Sequence, residues 1–392
     1  MSPSSSSGGP SGGPSGSHRN TPATPRVSEI LRTHKVVVCC GAGGVGKTTT
    51  AAALSLAAAR AGRRVLVLTI DPSKRLAETL GVERNPPEPV ALPADRAKVA
   101  GIAAPGGLDA WMLDHKLVAD SSVRRLTKSP EEAEKVLDNR IYKHVSTMVA
   151  GMHEYTAMEA LYRLVNEGRY DLVVLDTPPS RHALDFLEAP KRLSRLVDSR
   201  AIAAFLPSSD GFVARAASKV IHKVMSAVFG EEFAGEFTTF LSTFSALFQV
   251  LNVEVNTMRD FLSGPSVAFL LVTSPTPTTL TEAHYFQDKA RELSLPFRGF
   301  VLNRSRALNG RKAMPDSSLG GPSPSATLRS AIAKLQSAAA VELELAGRDL
   351  ALLRDLEVRA GEGATAIALP DLPTGADDMT TLMAVADVLD AS

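Results

Sequence analysis

The 392-residue sequence predicts an α/β fold, a doubly wound and mostly parallel sheet with helices on both faces and an inserted helical subdomain. Short apolar runs of strand length recur along the chain, and helical patterns lie between them. The runs are apolar on both faces, as in strands of a parallel sheet that helices cover. The length allows one large α/β domain, or one domain with a sizeable insertion.

The first predicted strand covers residues 35–40, and a helix is predicted from Thr49 to Ala61, where Gly62 ends it. The segment that joins them contains the pattern G-x-x-x-x-G-K-[ST]. It consists of Gly41, Ala42, Gly43, Gly44, Val45, Gly46, Lys47, Thr48 and Thr49. We call residues 41–48 the phosphate loop.

A strand, a glycine-rich loop and a helix N-terminus together form an anion cradle. The loop N–H groups turn inward, and the helix dipole favours a negative charge. In this geometry Lys47 reaches the β- and γ-phosphates, and the Thr48 hydroxyl binds Mg²⁺. A flexible glycine-rich turn is the alternative, but it does not explain the Lys-Thr-Thr at the end of the loop.

Two further strands end in aspartate. Residues 64–70 precede Asp71, and residues 171–175 precede Asp176. Because ligands bind at the carboxyl edge of such sheets, we expect both side chains near the phosphate loop, with Asp176 close to Mg²⁺. The remaining predicted strands are 266–273, 299–303 and 365–369, with 108–113 as a candidate edge strand.

Composition and charge exclude several classes of protein. The net charge of +1 gives no reason to expect binding to nucleic acid or to an anionic membrane. No apolar run is long enough for a membrane-spanning helix, and the N-terminus has no apolar signal region. Cys39 and Cys40, the only cysteines, are adjacent on a strand and point to opposite faces, so we expect reduced thiols and a cytoplasmic protein.

The domain organisation is predicted as follows. Residues 1–26 form a disordered Ser/Gly/Pro-rich tail, and residues 27–392 form the α/β domain. The domain includes a helical insertion at about 184–262 and a flexible loop at about 306–326.

Six phenylalanines of the insertion fall on one helical face. They are Phe229, Phe233, Phe237, Phe240, Phe244 and Phe248. Two interpretations stay open: the core of the helical subdomain, or an apolar groove for a client helix. The stiffness of phenylalanine favours the core, because promiscuous grooves are more often rich in methionine.

The phosphate loop, Asp71-Pro72 and the run from Asp176 to His182 together resemble the anion-transporting ATPase family, which has the phosphate-loop NTPase fold. This family contains the arsenite-pump ATPase and the factor that targets tail-anchored membrane proteins. The order and spacing of these motifs match from about Lys35 to Leu389, and the bacterial branch fits best.

The resemblance implies roles for individual residues. Asp71 would orient the attacking water, Lys47 would assist catalysis, and Asp176 would begin the second switch segment. Asn303 would contact adenine. The loop that packs against the base would contain Pro370, Leu372 and Pro373. From the residues alone, Asp71 and Asn303 could each instead be turn formers.

The resemblance also implies a Mg²⁺-dependent ATPase that works as a dimer, either a homodimer or a heterodimer with a paralogous subunit, with a hydrophobic helix as a candidate client. Two departures from the family stand out. Ala42 replaces the lysine that usually follows the first glycine of the loop, and no cysteine follows Cys40 to form the zinc site of the eukaryotic targeting factors.

Two other functions are compatible with these motifs. Ala42 favours an ATP-dependent binding subunit that hydrolyses weakly or not at all. A partitioning ATPase is the second, but residues 380–392 contain no Lys or Arg and so lack the basic face of a membrane-targeting helix.

Overall fold

A computed structural model describes residues 26–70, 75–82, 86–127, 129–139, 142, 152–178, 226–227, 230–236, 257–258, 260–311, 325–372 and 378–391. Within this part the chain forms an eight-stranded sheet with helices on both faces. The strands, in chain order, are β1 Val36–Gly41, β2 Arg64–Thr69, β3 Val90–Ala91, β4 Gly107–Met112, β5 Leu172–Asp176, β6 Val267–Thr273, β7 Phe297–Ser305 and β8 Thr365–Pro370.

The described helices alternate with these strands, as the sequence predicts. They are α1 Val27–Thr33, α2 Lys47–Arg60, α3 Arg75–Leu80, α4 Ala94–Val99, α5 His115–Leu126, α6 Pro130–Asp138, α7 Met152–Asn166, α8 Pro277–Glu292, α9 Ala326–Ala360 and α10 Asp378–Asp390. A short 3₁₀ helix, Ala307–Arg311, follows β7 inside the predicted loop 306–326. No helix among the described residues is long and apolar enough to cross a membrane.

The strand order is β3-β4-β2-β5-β1-β6-β7-β8, and every pairing is parallel except that of β3 with β4. The predicted doubly wound sheet is therefore confirmed. One detail of the prediction is wrong: β4 lies inside the sheet, between β2 and β3, and is not an edge strand. The strand at this edge is β3, which has only two residues and is therefore too short to be predicted from an apolar pattern.

The described residues form two apolar core clusters, one on each face of the sheet. Along β1, Val36, Val38 and Cys40 belong to one cluster, while Val37 and Cys39 belong to the other. All five side chains are buried. This strand is central, because it pairs with β5 on one side and with β6 on the other.

The central position of β1 determines where the phosphate loop lies. The loop leaves the carboxyl end of β1, and α2 begins at Lys47, two residues earlier than predicted. Because β1, β2, β5, β6 and β7 run parallel, their carboxyl ends meet at the same edge as the loop.

Candidate functional site

The phosphate loop is shaped by two glycines that no other residue could replace. At Gly41 a side chain would overlap the carbonyl oxygen of Val272 on β6. Gly46, the N-cap of α2, has a φ of 92°, and a Cβ there would overlap the amide nitrogen of Asn303. The loop therefore packs closely against β6 and β7, and only glycine permits this approach.

Lys47 is folded into the loop that it follows. Its side chain is 6% exposed, and its Nζ donates a hydrogen bond to the carbonyl oxygen of Ala42, at 2.9 Å. A buried ammonium is costly unless an anion or several acceptors surround it. Its position in the first turn of α2, where the helix dipole is positive, makes phosphate the fitting ligand for this cradle.

Thr48 and Asp176 meet across the edge of the sheet, although 128 residues separate them in sequence. The Thr48 hydroxyl donates to Asp176 Oδ2 at 2.7 Å, and the Thr69 hydroxyl donates to the same oxygen at 3.0 Å. Asp176 is fully buried at the end of β5. Two hydroxyls, that of the buried Thr69 and that of the partly buried Thr48, thus hold one carboxylate oxygen in place.

This pair of oxygen donors fits Mg²⁺. Two adjacent ligands in an octahedral shell of 2.0–2.1 Å radius lie about 2.9 Å apart, close to the separation of the two oxygens here. Mg²⁺ typically takes one or two protein oxygens and completes its shell with water and phosphate. Among the described residues there is no group of three or more His, Cys, Asp or Glu that could hold a metal by protein ligands alone.

Asn303 lies on the other side of the phosphate loop. Its side-chain amide donates to the carbonyl oxygen of Val45 at 2.8 Å, and the side chain is 9% exposed. The end of β7 is therefore bonded directly to the loop. Asn303 lies two residues before the end of β7, at the edge of the sheet that holds the phosphate loop, and its contact with adenine stays a prediction.

The other predicted site residues are distributed as follows. Pro370 ends β8, and Leu372 follows it, packed against the cluster that contains α2. Asp71 and Pro373 lie outside the described residues. Of the phenylalanine run only Phe233 is described, and it is 38% exposed.

Three buried hydroxyls at this edge were missed by the sequence analysis. Thr69 holds Asp176, and Thr177 donates to the carbonyl oxygen of Cys39 at 2.8 Å. Thr273, at the end of β6, is fully buried. A polar residue near the end of an otherwise apolar strand was the available signal for Thr69 and Thr273.

The two cysteines beneath the loop are poor nucleophiles. Burial raises the pKa of Cys40 to about 12. Burial also raises the pKa of Cys39, and the nearby Asp176 carboxylate raises it further. Both thiols stay protonated at neutral pH, so they contribute to the core and not to the chemistry of the site.

Comparison with known proteins agrees with this geometry. Residues 34–307 match the family model of the anion-transporting ATPases. An uncharacterized protein of Streptomyces coelicolor is 32% identical over 165 residues, which are 41% of this chain and 38% of that protein. The ATPase GET3 of Malassezia globosa is 28% identical over 173 residues, covering 44% of this chain and 47% of GET3.

A third relative is the arsenical pump-driving ATPase of Escherichia coli. It is 25% identical over 168 residues, which cover 41% of this chain and 26% of the pump ATPase. The matched region thus spans about half or less of the length of each of these relatives.

Proposed function

The chain belongs to the anion-transporting ATPase family, and from this premise we propose that it binds and hydrolyses ATP with Mg²⁺ as a nucleotide-driven dimeric switch. One observation supports the proposal most strongly. The Thr48 hydroxyl, at the start of α2, lies 2.7 Å from the Asp176 carboxylate, at the end of a neighbouring strand. Together with Lys47 in the same helical turn, this arrangement suits a metal–triphosphate ligand.

In this proposal some residues bind the nucleotide and its metal ion, and others act on the attacking water. The N–H groups of residues 43–48 and the Lys47 ammonium would hold the β- and γ-phosphates. Thr48 and Asp176 would hold Mg²⁺, which supplies positive charge for the phosphate oxygens when bound. Asp71 would orient the attacking water by accepting a hydrogen bond from it, so that the water oxygen faces the γ-phosphorus.

The base would bind at the edge formed by β7 and β8. Asn303 would donate or accept a hydrogen bond with adenine, and Pro370, Leu372 and Pro373 would pack against its ring. The support is that Asn303 and Pro370 lie near the carboxyl ends of adjacent parallel strands, and that Asn303 is bonded to the phosphate loop.

Hydrolysis would be coupled to a partner. We propose a cytoplasmic dimer, formed either by two copies or with a paralogous subunit, and a client with a hydrophobic helix. The support is the family membership and the phenylalanine run, which could provide an apolar groove. If the run lines such a groove, polar substitution of Phe237, Phe240 and Phe244 should abolish client capture with little loss of stability. A lower midpoint in every variant would instead mark these residues as core.

Ala42 favours a second candidate function, an ATP-dependent binding subunit with slow turnover of its own. Its side chain is an uncharged methyl group that is 6% exposed. A cation supplied in trans to the phosphates can be worth roughly 10³–10⁵ in rate, and a homodimer with Ala42 would lack it at both sites.

A turnover assay separates these two functions. Pure protein is compared with Ala42→Lys and with a mixture that contains a paralogous subunit, all at the same Mg·ATP concentration. Faster turnover with the partner or the variant supports the dependent subunit. Fast turnover by the pure protein, unaffected by either, supports an autonomous ATPase.

A further inference from the structure

The end of β7 contains a bulge next to the phosphate loop. Leu302 pairs with Ala368 and Ser305 with Pro370, so β7 advances three residues while β8 advances two. Inside the bulge, Arg304 has a φ of 56°, in the left-handed region that residues other than glycine seldom occupy. Such a conformation persists only where surrounding contacts enforce it, and bulges of this kind occur next to functional sites.

Arg306, two residues beyond Arg304, connects the end of the bulged strand to two neighbouring segments. The backbone N–H of Arg306 donates to Asp349 Oδ2 of α9 at 2.8 Å. Its guanidinium contacts Asp371 Oδ2 at 3.2 Å and Glu342 Oε2 at 3.1 Å. Arg306 therefore joins the end of β7, the segment after β8 and the helix α9.

Asp349 anchors this arrangement from inside the protein. It is fully buried, and its other oxygen, Oδ1, accepts from Arg348 Nη2 at 2.8 Å. A buried carboxylate is stable only when hydrogen bonds and a counter-charge compensate it, so its geometry has little freedom. Because Asp349 binds the backbone N–H of Arg306, the backbone that carries the arginine side chain has a well-defined position.

The contact with Asp371 acts on the predicted base-binding segment. Asp371 lies between Pro370 and Leu372, and its backbone N–H also donates to the carbonyl oxygen of Ser305 at 3.2 Å. The segment is thus held to the end of β7 by one backbone bond and one ion pair. Arg306 itself is separate from the phosphate loop, whose contact with β7 is made by Asn303.

We propose that Arg306 is a positioning residue that holds the segment after β8 against the end of β7 and thereby sets the affinity for the base of the nucleotide. The inference rests on the proposed function, because it assumes that the base binds at this edge. The inference predicts that the Arg306–Asp371 pair raises the affinity for ligands that carry a base and does not change the affinity for ligands that consist of phosphates alone.

The test compares ATP with inorganic tripolyphosphate, each titrated with Mg²⁺ into the full chain by calorimetry. The wild type should bind ATP more tightly than tripolyphosphate. In Arg306→Ala and in Asp371→Asn, the ratio of the two affinities should fall about two- to fivefold, the effect of one partly exposed ion pair. Arg306→Lys should restore part of the ratio, since it retains the charge but not the fork.

Arg298→Ala serves as the matched control, because Arg298 lies on the same strand at the end away from the phosphate loop. Within the described part of the chain, its guanidinium hydrogen-bonds only the carbonyl oxygen of Phe297. Its affinity ratio should equal that of the wild type. The conservative Asp371→Asn keeps the test valid if Arg306→Ala does not fold.

Two results would overturn the inference. One is an unchanged ratio in Asp371→Asn and Arg306→Ala. The other is an equal loss of both ligands together with a lower unfolding temperature, since that marks a structural role only. A wild type that binds neither ligand would instead reject the proposed function, so the two failures are distinguishable.

Discussion

Asp176→Asn should remove the Mg²⁺-dependent part of ATP binding and leave the fold intact. Asn has the same shape, but the Thr48 and Thr69 hydroxyls would then donate to a neutral group at 2.7 and 3.0 Å. Each bond loses its charge assistance, while the cost of a fully buried charge also disappears. These two effects oppose each other and are similar in size, so the free energy of unfolding should change by no more than about 2 kcal/mol.

The effect on the metal should be larger. Mutation of the outer-shell partners of a metal ligand typically costs about 10–100-fold in metal affinity, and loss of the ligand itself should cost at least as much. ATP affinity is measured by calorimetry with Mg²⁺ and again with a chelator, and the ratio of the two values is the metal-dependent gain. This gain should fall at least about tenfold in Asp176→Asn, whereas ATP affinity in chelator should remain near that of the wild type.

Thr69→Val is the matched control. It removes one hydrogen bond to the same carboxylate oxygen but no proposed metal ligand, so it should cost about 1 kcal/mol of stability and lower the metal-dependent gain less than Asp176→Asn does. If Asp176→Asn keeps the full gain, or loses no more of it than Thr69→Val does, the assignment of Asp176 to the metal is refuted.

Three further predictions test other parts of the account. Arg304→Gly should raise the free energy of unfolding by about 1 kcal/mol in urea melts, because glycine adopts the left-handed conformation without strain. Ser294→Gly, at a φ of 55°, is the comparison. A destabilised Arg304→Gly would contradict the strain argument. Cys39 and Cys40 should not react with a thiol reagent at pH 8 in the native protein, because their raised pKa values keep them protonated. Both should react in denaturant. Reaction in the native state would show that the sheet opens at the carboxyl end of β1. Asp71→Asn should bind ATP as the wild type does but hydrolyse it at least about a hundredfold more slowly in single-turnover assays; loss of affinity with retained turnover would exclude a role in positioning water.

The sequence predicted those site residues whose positions depend on the succession of strands, loops and helices along the chain. Lys47 and Thr48 follow a strand and a glycine-rich loop directly, so motif and secondary structure together place them. Asp176 was predictable because parallel strands bring their carboxyl ends to one edge. The contact between Thr48 and Asp176 follows from that topology without further information.

The contacts that the sequence did not predict are those that depend on tertiary packing. Asn303 meets Val45 across 258 residues, and no local pattern specifies that its amide faces a loop carbonyl. The bulge at Arg304 arises from the register of β7 against β8. Nothing in the sequence distinguishes Arg306 from other loop arginines, because its contact with the buried Asp349 of α9 depends on tertiary packing.

The predicted range of the helical insertion, about 184–262, lies mostly outside the described residues, so the choice between core and groove for the phenylalanine run stays a prediction. The same holds for the tail of residues 1–26.

The central claim is that the phosphate loop binds ATP through Lys47, and the most direct test is a titration of Mg·ATP into the wild type and Lys47→Ala. Removal of a buried ammonium that bonds phosphate should cost about 1.5–3 kcal/mol for each charged hydrogen bond, which weakens binding by at least about tenfold. The circular dichroism spectrum of the variant should equal that of the wild type. Equal affinity of a folded Lys47→Ala and the wild type would contradict the account.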